Sequence, residues 1–423
     1  MTKEINLNHI CKIEGHAHLA LKIEHNKVKK CELKAAEGAR FFEALVLNKK
    51  IEDVQEIVSR ICGICSSAHS VCCIQALEEA LEIKPSEQQK AIRELLMIGE
   101  RIRSHITHLY FMALPDYYNV ESALQLGEKH QDKINNALAL ITLGNKIVEC
   151  VGGREIHPFL SIKENLKQQE IKEFSELIKE LKEKKDLIKK TINLFSSLKQ
   201  ENLERDADYL SLYSKDYVTI SGKVKSASGL INDEDYKKHL HENIKEYATS
   251  KFVLKDGKPY VVGAIARLNN NKEFFDNETK QYLKKLKFPL NNPFDNNLAQ
   301  AIELLYLTNR VIWLLENFNN FKKERTGEIK LREGHAVSAV EAPRGTLFHE
   351  YKISKQGVVE YCNIITPTCQ NLNMMEIDIK HLVDNLLAKH ESKDKIVLDI
   401  EKLIRAYDPC FSCSTHFLRV DWD

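Results

Sequence analysis

Two pairs of cysteines, each with two residues between its members, stand at opposite ends of this chain, and few folds can satisfy both. The first lies in Arg60-Ile-Cys62-Gly-Ile-Cys65-Ser-Ser-Ala-His69, the second in Asp408-Pro-Cys410-Phe-Ser-Cys413-Ser-Thr-His416. A two-residue gap lets both thiolates of a pair reach one metal. The two pairs make one four-sulfur site only if the fold brings the ends of a 423-residue chain together. Thiolate sulfur suits zinc, iron–sulfur clusters and nickel alike, so the ligand atoms leave the metal open. A structural zinc site needs no more than four such cysteines, although zinc ribbons and knuckles usually close short loops and here most of the chain separates the pairs. A dithiol cycling as a disulfide is the other ordinary reading, but it requires neither a second pair nor a histidine downstream of each.

Composition removes other classes. With 62 basic and 61 acidic side chains the net charge is +1, which gives no electrostatic case for nucleic acid. Eleven cysteines behind an N-terminus, Met1-Thr-Lys-Glu-Ile5, without a charged-then-apolar signal pattern predict a reducing, cytoplasmic setting with thiols as ligands. No apolar run reads as long enough to span a membrane, so no direct membrane insertion is expected. The length allows two or three domains, or one large core with lobes.

The flanks of the cysteines carry the rest. They resemble the proximal and distal nickel-binding signatures of nickel–iron hydrogenase large subunits, Arg-x-Cys-Gly-x-Cys-x-x-x-His and Asp-Pro-Cys-x-x-Cys-x-x-His, and the related complex I subunit lacks these cysteines. Further segments resemble the same family along the chain. Lys12-Ile-Glu14-Gly-His16 is similar to its Arg-Ile-Glu-Gly-His, with lysine for arginine; Pro343-Arg344-Gly345 to its Pro-Arg-Gly turn; and Thr366-Pro367-Thr368-Cys369-Gln370-Asn371 to its Pro-(Ser/Thr)-Thr-Trp-Asn region, with Cys369-Gln370 replacing Thr-Trp.

The resemblance implies roles residue by residue. Cys62, Cys65, Cys410 and Cys413 would hold nickel, two of them bridging to an iron that carries carbonyl and cyanide ligands. His69, Thr368, Pro367 and Arg344 would surround those ligands. Cys410 would be the first base and Glu14 the proton relay, with Arg344, Asp116 and Asp408 ordering the layer around the metals. Glu43, nineteen positions before Cys62, would bind a magnesium (or iron) ion with the Ile364 carbonyl and His416. The implied partners are an iron–sulfur small subunit, electron-transfer subunits such as a diaphorase, and maturation factors. The flavour is that of the cytoplasmic, bidirectional, multisubunit type, linked to sulfur, NADP or deazaflavin. The rival readings are a zinc-bearing structural paralogue and a hydrogen-sensing regulatory subunit. The tail from Phe417 to Asp423 is cleaved in many relatives; retention is expected here.

The implied fold is mainly α with small mixed α/β lobes, a helical bundle whose N- and C-terminal lobes converge on a buried metal site. The expected segments are a β-rich lobe (1–50), a helical region with the first cysteine pair (51–215), a β-containing excursion (216–290), a helical return (291–345) and a C-terminal lobe with the second pair (346–423). Alternating apolar residues predict a hairpin over 9–34 about His25-Asn26-Lys27. Helical spacing predicts helices over 51–58, 86–112, 131–151 and 298–318, and two long exposed ones over the Lys/Glu-rich 164–199. Residues 251–262 read as a hairpin on an Asp256-Gly257 turn, and 347–353 with 358–365 as another around Gly357. His105 and His108 read as buried, hydrogen-bonded histidines, and Cys72, Cys73 and Cys150 as small buried residues rather than ligands.

Overall fold

A computed structural model describes residues 2–38, 40–127, 130–162, 171–215, 220–323 and 330–415. Its centre is a set of long helices. Glu87–Thr107 starts at Ser86, whose hydroxyl accepts the N–H of Gln89 while the Gln89 side chain accepts that of Ser86. It packs on Gln131–Gly152, and the two cross at facing glycines. A Cβ on Gly99 would lie 2.9 Å from the Gly144 carbonyl oxygen, so only glycine permits this approach. The first helix runs on through a π-helical turn, His108–Ala113, into Leu114–Tyr117, which carries Asp116.

Asp295–Glu316 threads the middle of this layer. Contrary to expectation, it is long and apolar enough to cross a membrane by length and composition, yet most of it is buried inside the protein. The Lys/Glu-rich stretch also differs from expectation. Among the described residues it is one helix, Ile171–Ser197, and it is not wholly exposed. Phe174, Leu177, Leu181, Ile188, Ile192 and Phe195 recur at helical spacing and join the central core, while lysines and glutamates cover the outer face.

Three-stranded antiparallel sheets flank the helices. At the N-terminus Ala17–Glu24 and Lys27–Ala35 form the expected hairpin, and Thr2–Leu7 adds a third strand. Leu19, Leu21 and Ile23 pack in one core with Leu372, Met375 and Ile379 of the helix Pro367–Ala388 and Ile400 and Leu403 of Lys393–Ala406. In the middle of the chain Asp256-Gly257 does close a tight turn, with Lys255 and Lys258 exchanging backbone bonds. Its strands then part: Lys251–Lys255 pairs with Leu240–Ile244, and Tyr260–Val261 runs parallel to Asp208–Tyr209. The C-terminal sheet orders Gly334–Ala342, Gly345–Ile353 and Val359–Ile365. Because Ala342 pairs with Gly345, Pro343 and Arg344 are the whole of its first loop. Gly345 has φ 134°, and a Cβ there would meet Val262 at 2.6 Å.

The helix Ser66–Ala80 packs on this sheet, burying Cys72, Cys73 and Ala76 with Leu347, Tyr351 and Ile364. The chain ends meet beside it. Phe411 N donates to Glu14 O (2.9 Å), and Arg40 N to Thr415 O (2.7 Å).

Candidate metal centre

The meeting of the ends assembles the four sulfurs. Cys62 lies just past the helix Ile51–Ser59, Cys65 immediately precedes Ser66–Ala80, and Cys410 precedes the short turn Phe411–Ser414. The four Sγ atoms lie within 4.8 Å of one another and all four residues are buried. Cys62–Cys410 is 3.6 Å, Cys65–Cys413 3.2 Å and Cys410–Cys413 2.7 Å. Sulfurs bonded at ~2.3 Å around one tetrahedral metal would stand roughly 3.7 Å apart, so the donor set is near the spacing a single ion needs. All eleven cysteines are free thiols. The Cys410, Cys413 and Cys65 sulfurs around Cys62 stabilise its thiolate and hold its pKa well below the ordinary value. Burial instead keeps Cys410 and Cys413 protonated. A cluster of this kind releases its thiol protons to solvent as its sulfurs take up a soft cation.

Arg344 stands over the cluster. Its Nε donates to Asp408 O (2.8 Å) and Nη2 lies 2.9 Å from Asp408 Oδ1, whereas Nη1 is buried with no partner among the described residues. Burial opposes the charge of Arg344, but Asp408 and then the Cys410 and Cys62 sulfurs outweigh it and raise its pKa. Asp408 is held in a left-handed conformation, φ 50°, and its Oδ2 accepts from Gln300 Nε2 (2.9 Å). On the other side, Glu14 Oε2 is 2.8 Å from Cys410 Sγ and accepts from Ser412 N (3.2 Å), and Oε1 accepts the Ser412 hydroxyl. Pro367 opens the helix Pro367–Ala388, and Thr368 Oγ1 accepts the N–H of Cys410 (2.8 Å). His69, one helical turn beyond Cys65, places Nδ1 3.0 Å from His349 Nε2, and burial lowers its pKa to about 4.

Cations hold two further expected residues, Glu43 and Asp116. Asp116 is held at both oxygens. Its Oδ1 receives Lys12 Nζ (2.6 Å) and its Oδ2 Arg405 Nη1 (2.5 Å), so the lysine at the place of the family's arginine ties down the segment that carries Glu14. Ile364 meets Glu43 through its N–H (2.8 Å to Oε1), and the same oxygen receives Lys251 Nζ at 2.7 Å. Lys251 also touches Glu242 (2.8 Å) and Asn363 Oδ1 (3.1 Å). Burial works against its charge, but Glu43 and Glu242 keep it protonated. His416 and the tail 417–423 lie outside the described residues. The substituted Cys369-Gln370 pair is well accommodated: Gln370 Nε2 donates to Thr346 O (2.6 Å) and Oε1 accepts from Tyr260 (3.1 Å). Lys251, Glu242, Gln300 and Arg405 escaped the sequence reading. For Gln300 and Arg405 the one signal is a polar or charged residue inside an apolar run, as in Leu403-Ile404-Arg405-Ala406, since such groups are buried only when paired; Glu242 and Lys251 follow polar neighbours and carry no such signal.

The sequence pattern of the nickel-dependent hydrogenase family matches residues 40–149 and 146–416. The alpha chain of sulfhydrogenase 1 from Pyrococcus furiosus is 35% identical over 426 residues, covering 98% of each chain. This chain belongs to the nickel-dependent hydrogenases. It is the catalytic large subunit of a nickel–iron hydrogenase, an oxidoreductase acting on dihydrogen. The hydrogenase kinship with the sulfhydrogenase type extends to the vhu F420-non-reducing hydrogenase of Methanocaldococcus jannaschii. One of its chains is 29% identical over 407 residues, or 88% of this chain and 97% of that one. The large-subunit fold is shared with an NAD+-reducing [NiFe]-hydrogenase crystallised in the H2-reduced state. That structure superposes with a TM-score of 0.88 at 23% identity, covering 98% of this chain and 99% of the other.

Proposed function

We propose that this hydrogenase chain cleaves dihydrogen heterolytically and reversibly at a nickel–iron centre held by Cys62, Cys65, Cys410 and Cys413. The observation that carries the reading is four buried sulfurs converging beneath an arginine whose Nη1 has no protein partner among the described residues. When bound, the centre, with an iron bearing carbonyl and cyanide ligands, supplies the electron-accepting site at which dihydrogen is polarised. The chain's own residues do the rest. Arg344, fixed by Asp408, aims a permanently charged donor at a diatomic ligand or at the gas. Thr368 accepts the Cys410 N–H and so has its own hydroxyl proton left to donate to a cyanide. Pro367 and His69 border the same groups. Cys410 Sγ takes the proton, and Glu14, 2.8 Å away, receives it and passes it outward. Asp116 acts at one remove, through Lys12, on the placement of Glu14.

Glu43, the Ile364 carbonyl and His416 would hold a magnesium (or iron) ion. Glu43, Glu242 and Asn363 present hard oxygen donors with one negative charge left over after Lys251, which favours such a cation, with Lys251 kept as its outer neighbour. Electrons must leave by iron–sulfur clusters. Among the described residues the four-cysteine group is the one metal-ligand cluster, so an iron–sulfur small subunit is required, with a diaphorase or similar subunit beyond it and maturation factors to load the metals. The alpha-chain names of the relatives support a heteromultimer, and eleven free thiols favour a reducing, cytoplasmic location. The test is metal analysis with infrared spectroscopy of matured protein. About one nickel per chain with carbonyl and cyanide bands is expected; stoichiometric zinc without those bands refutes the reading.

A further inference from the structure

Behind His69 runs a buried chain of hydrogen bonds that the reaction as described leaves unused. His69 Nδ1 lies 3.0 Å from His349 Nε2, and His349 Nδ1 lies 2.8 Å from the Tyr351 hydroxyl. All three residues are 1% exposed or less, so none can exchange its partner for water. His349 and Tyr351 sit two apart on the strand Gly345–Ile353, on the face that meets the helix carrying His69. Tyr351 in turn touches the thiol of Cys73 from that same helix.

We propose that Tyr351 and His349 are positioning residues that lock His69 in the tautomer carrying its proton on Nε2, so that His69 presents a fixed N–H donor to the metal centre. The inference rests on the nickel–iron reading for what the donor serves, but not for the direction of the chain.

That direction follows from donor and acceptor strengths. Burial keeps the Tyr351 phenol and the Cys73 thiol protonated. A phenol O–H beside a thiol sulfur and an imidazole nitrogen donates to the nitrogen, because sulfur is the weak acceptor of the two. His349 Nδ1 therefore accepts, and its proton is on Nε2. His349 Nε2–H then donates to His69 Nδ1. An Nδ1 that accepts carries no proton of its own, so the His69 ring proton is on Nε2. The reverse order would leave the tyrosine proton on a thiol sulfur, a poorer use of a fully buried donor. His69 stands one turn beyond Cys65, its N–H donating to Cys65 O (3.2 Å), and the Cys62 thiolate acts on the ring electrostatically. A donor fixed toward metal-bound sulfur withdraws electron density from it, as partners behind metal ligands commonly do.

The experiment is infrared spectroscopy of nickel-loaded Tyr351→Phe, His349→Leu and His349→Gln, with thermal melting alongside. Removing the hydroxyl frees His349 and then His69 to change tautomer. The carbonyl band should therefore move to lower wavenumber in Tyr351→Phe and in His349→Leu. His349→Gln keeps an amide N–H near the place of Nε2–H and should return the band to its wild-type position. Wild-type bands in all three, with only a lowered melting temperature, would leave the triad a packing feature and overturn the proposal. Should the variants not take up nickel, the unloaded wild-type chain labelled with 15N-histidine decides, with His69 assigned through His69→Gln. A proton on His69 Nε2 supports the proposal and a proton on Nδ1 overturns it. Wild-type protein with zinc and no carbonyl band would instead end the reading of a nickel–iron centre, while the tautomer remained measurable.

Discussion

Glu14 touches the Cys410 sulfur while Arg344 holds Asp408, two residues before it, so substitutions at the two test proton export and metal-side chemistry separately. Glu14→Gln keeps the size and most of the hydrogen bonding to Ser412, so nickel should load as usual, but an amide cannot accept and release the proton. Dihydrogen oxidation and exchange with solvent deuterons should both fall by roughly 10²–10⁴. Conversion between para and ortho dihydrogen should persist, because cleavage and recombination need no export. Solvent exchange at the wild-type rate would leave Glu14 an ordinary carboxylate that only pins the Ser412 turn. Arg344→Lys keeps the charge yet loses the fork that binds Asp408 twice while leaving Nη1 over. Its dye-coupled oxidation rate should drop by about 10²–10³, as for other preorganised donors, with nickel content unchanged. Both residues were singled out by resemblance, because each lies in a short run similar to a motif of the family. The partners of Asp116, Lys12 and Arg405, could not be found that way: naming them requires knowing where the Leu114–Tyr117 turn ends up, and local spacing carries no such information.

At the scale of elements, helices were legible where apolar residues recur every three or four positions, as in Glu87–Thr107 and Gln131–Gly152. The Asp256-Gly257 turn was legible too, since its chemistry is local, whereas its strands found partners elsewhere because pairing is decided by distant chain. What locks the elements together is close contact and buried charge. Gly99→Ala should gain up to about 1 kcal/mol of helix propensity but force backbone apart at the crossing, costing about 1–3 kcal/mol. The expected sum is a net loss, read as a lower urea midpoint; an unchanged or higher midpoint would show that the helices can slide apart freely. The buried network of Arg267, Glu303 and His105 gives a pH signature. Arg267 binds Glu303 through Nε (2.6 Å) and Nη2 (2.8 Å), and His105 Nε2 reaches Glu303 Oε2 at 2.7 Å. Burial lowers the His105 pKa to about 4, and protonating Nδ1 would bury a donor that has no partner among the described residues. The unfolded chain then binds a proton near pH 6.5 that the folded one refuses until about pH 4. This stability is full above pH 6.5 and is lost as pH falls through that window, by roughly 3 kcal/mol. His105→Gln should flatten the dependence between these limits. A urea midpoint that varies with pH as in the wild type would remove His105 from the account.

For the whole molecule, the decisive event is the docking of the last described residues on the first lobe. The pair Cys410 and Cys413 has no scaffold of its own. Its short segment is pinned by Phe411 N on Glu14 O, Cys410 N on Thr368 Oγ1 and Arg40 N on Thr415 O, all contacts with parts of the chain far away in sequence. The central helical core includes none of these residues and can form without them. A metal that takes two sulfurs from each end binds only the docked arrangement, so its binding free energy becomes docking free energy. Metal at a thousand times its dissociation constant contributes ~4 kcal/mol to the docked state. Opening of the segment 407–415 should therefore be rarer by about a thousandfold in loaded protein, with cleavage there slowed accordingly when reclosing outruns the protease. Limited proteolysis of loaded and unloaded full-length chains, followed by mass mapping of the first cuts, measures this. Unloaded chain should lose its C-terminal segment first while the helical core stays protected. Equal cleavage rates at 407–415 in both forms would mean that the segment docks by protein contacts alone and that the metal enters a site already closed.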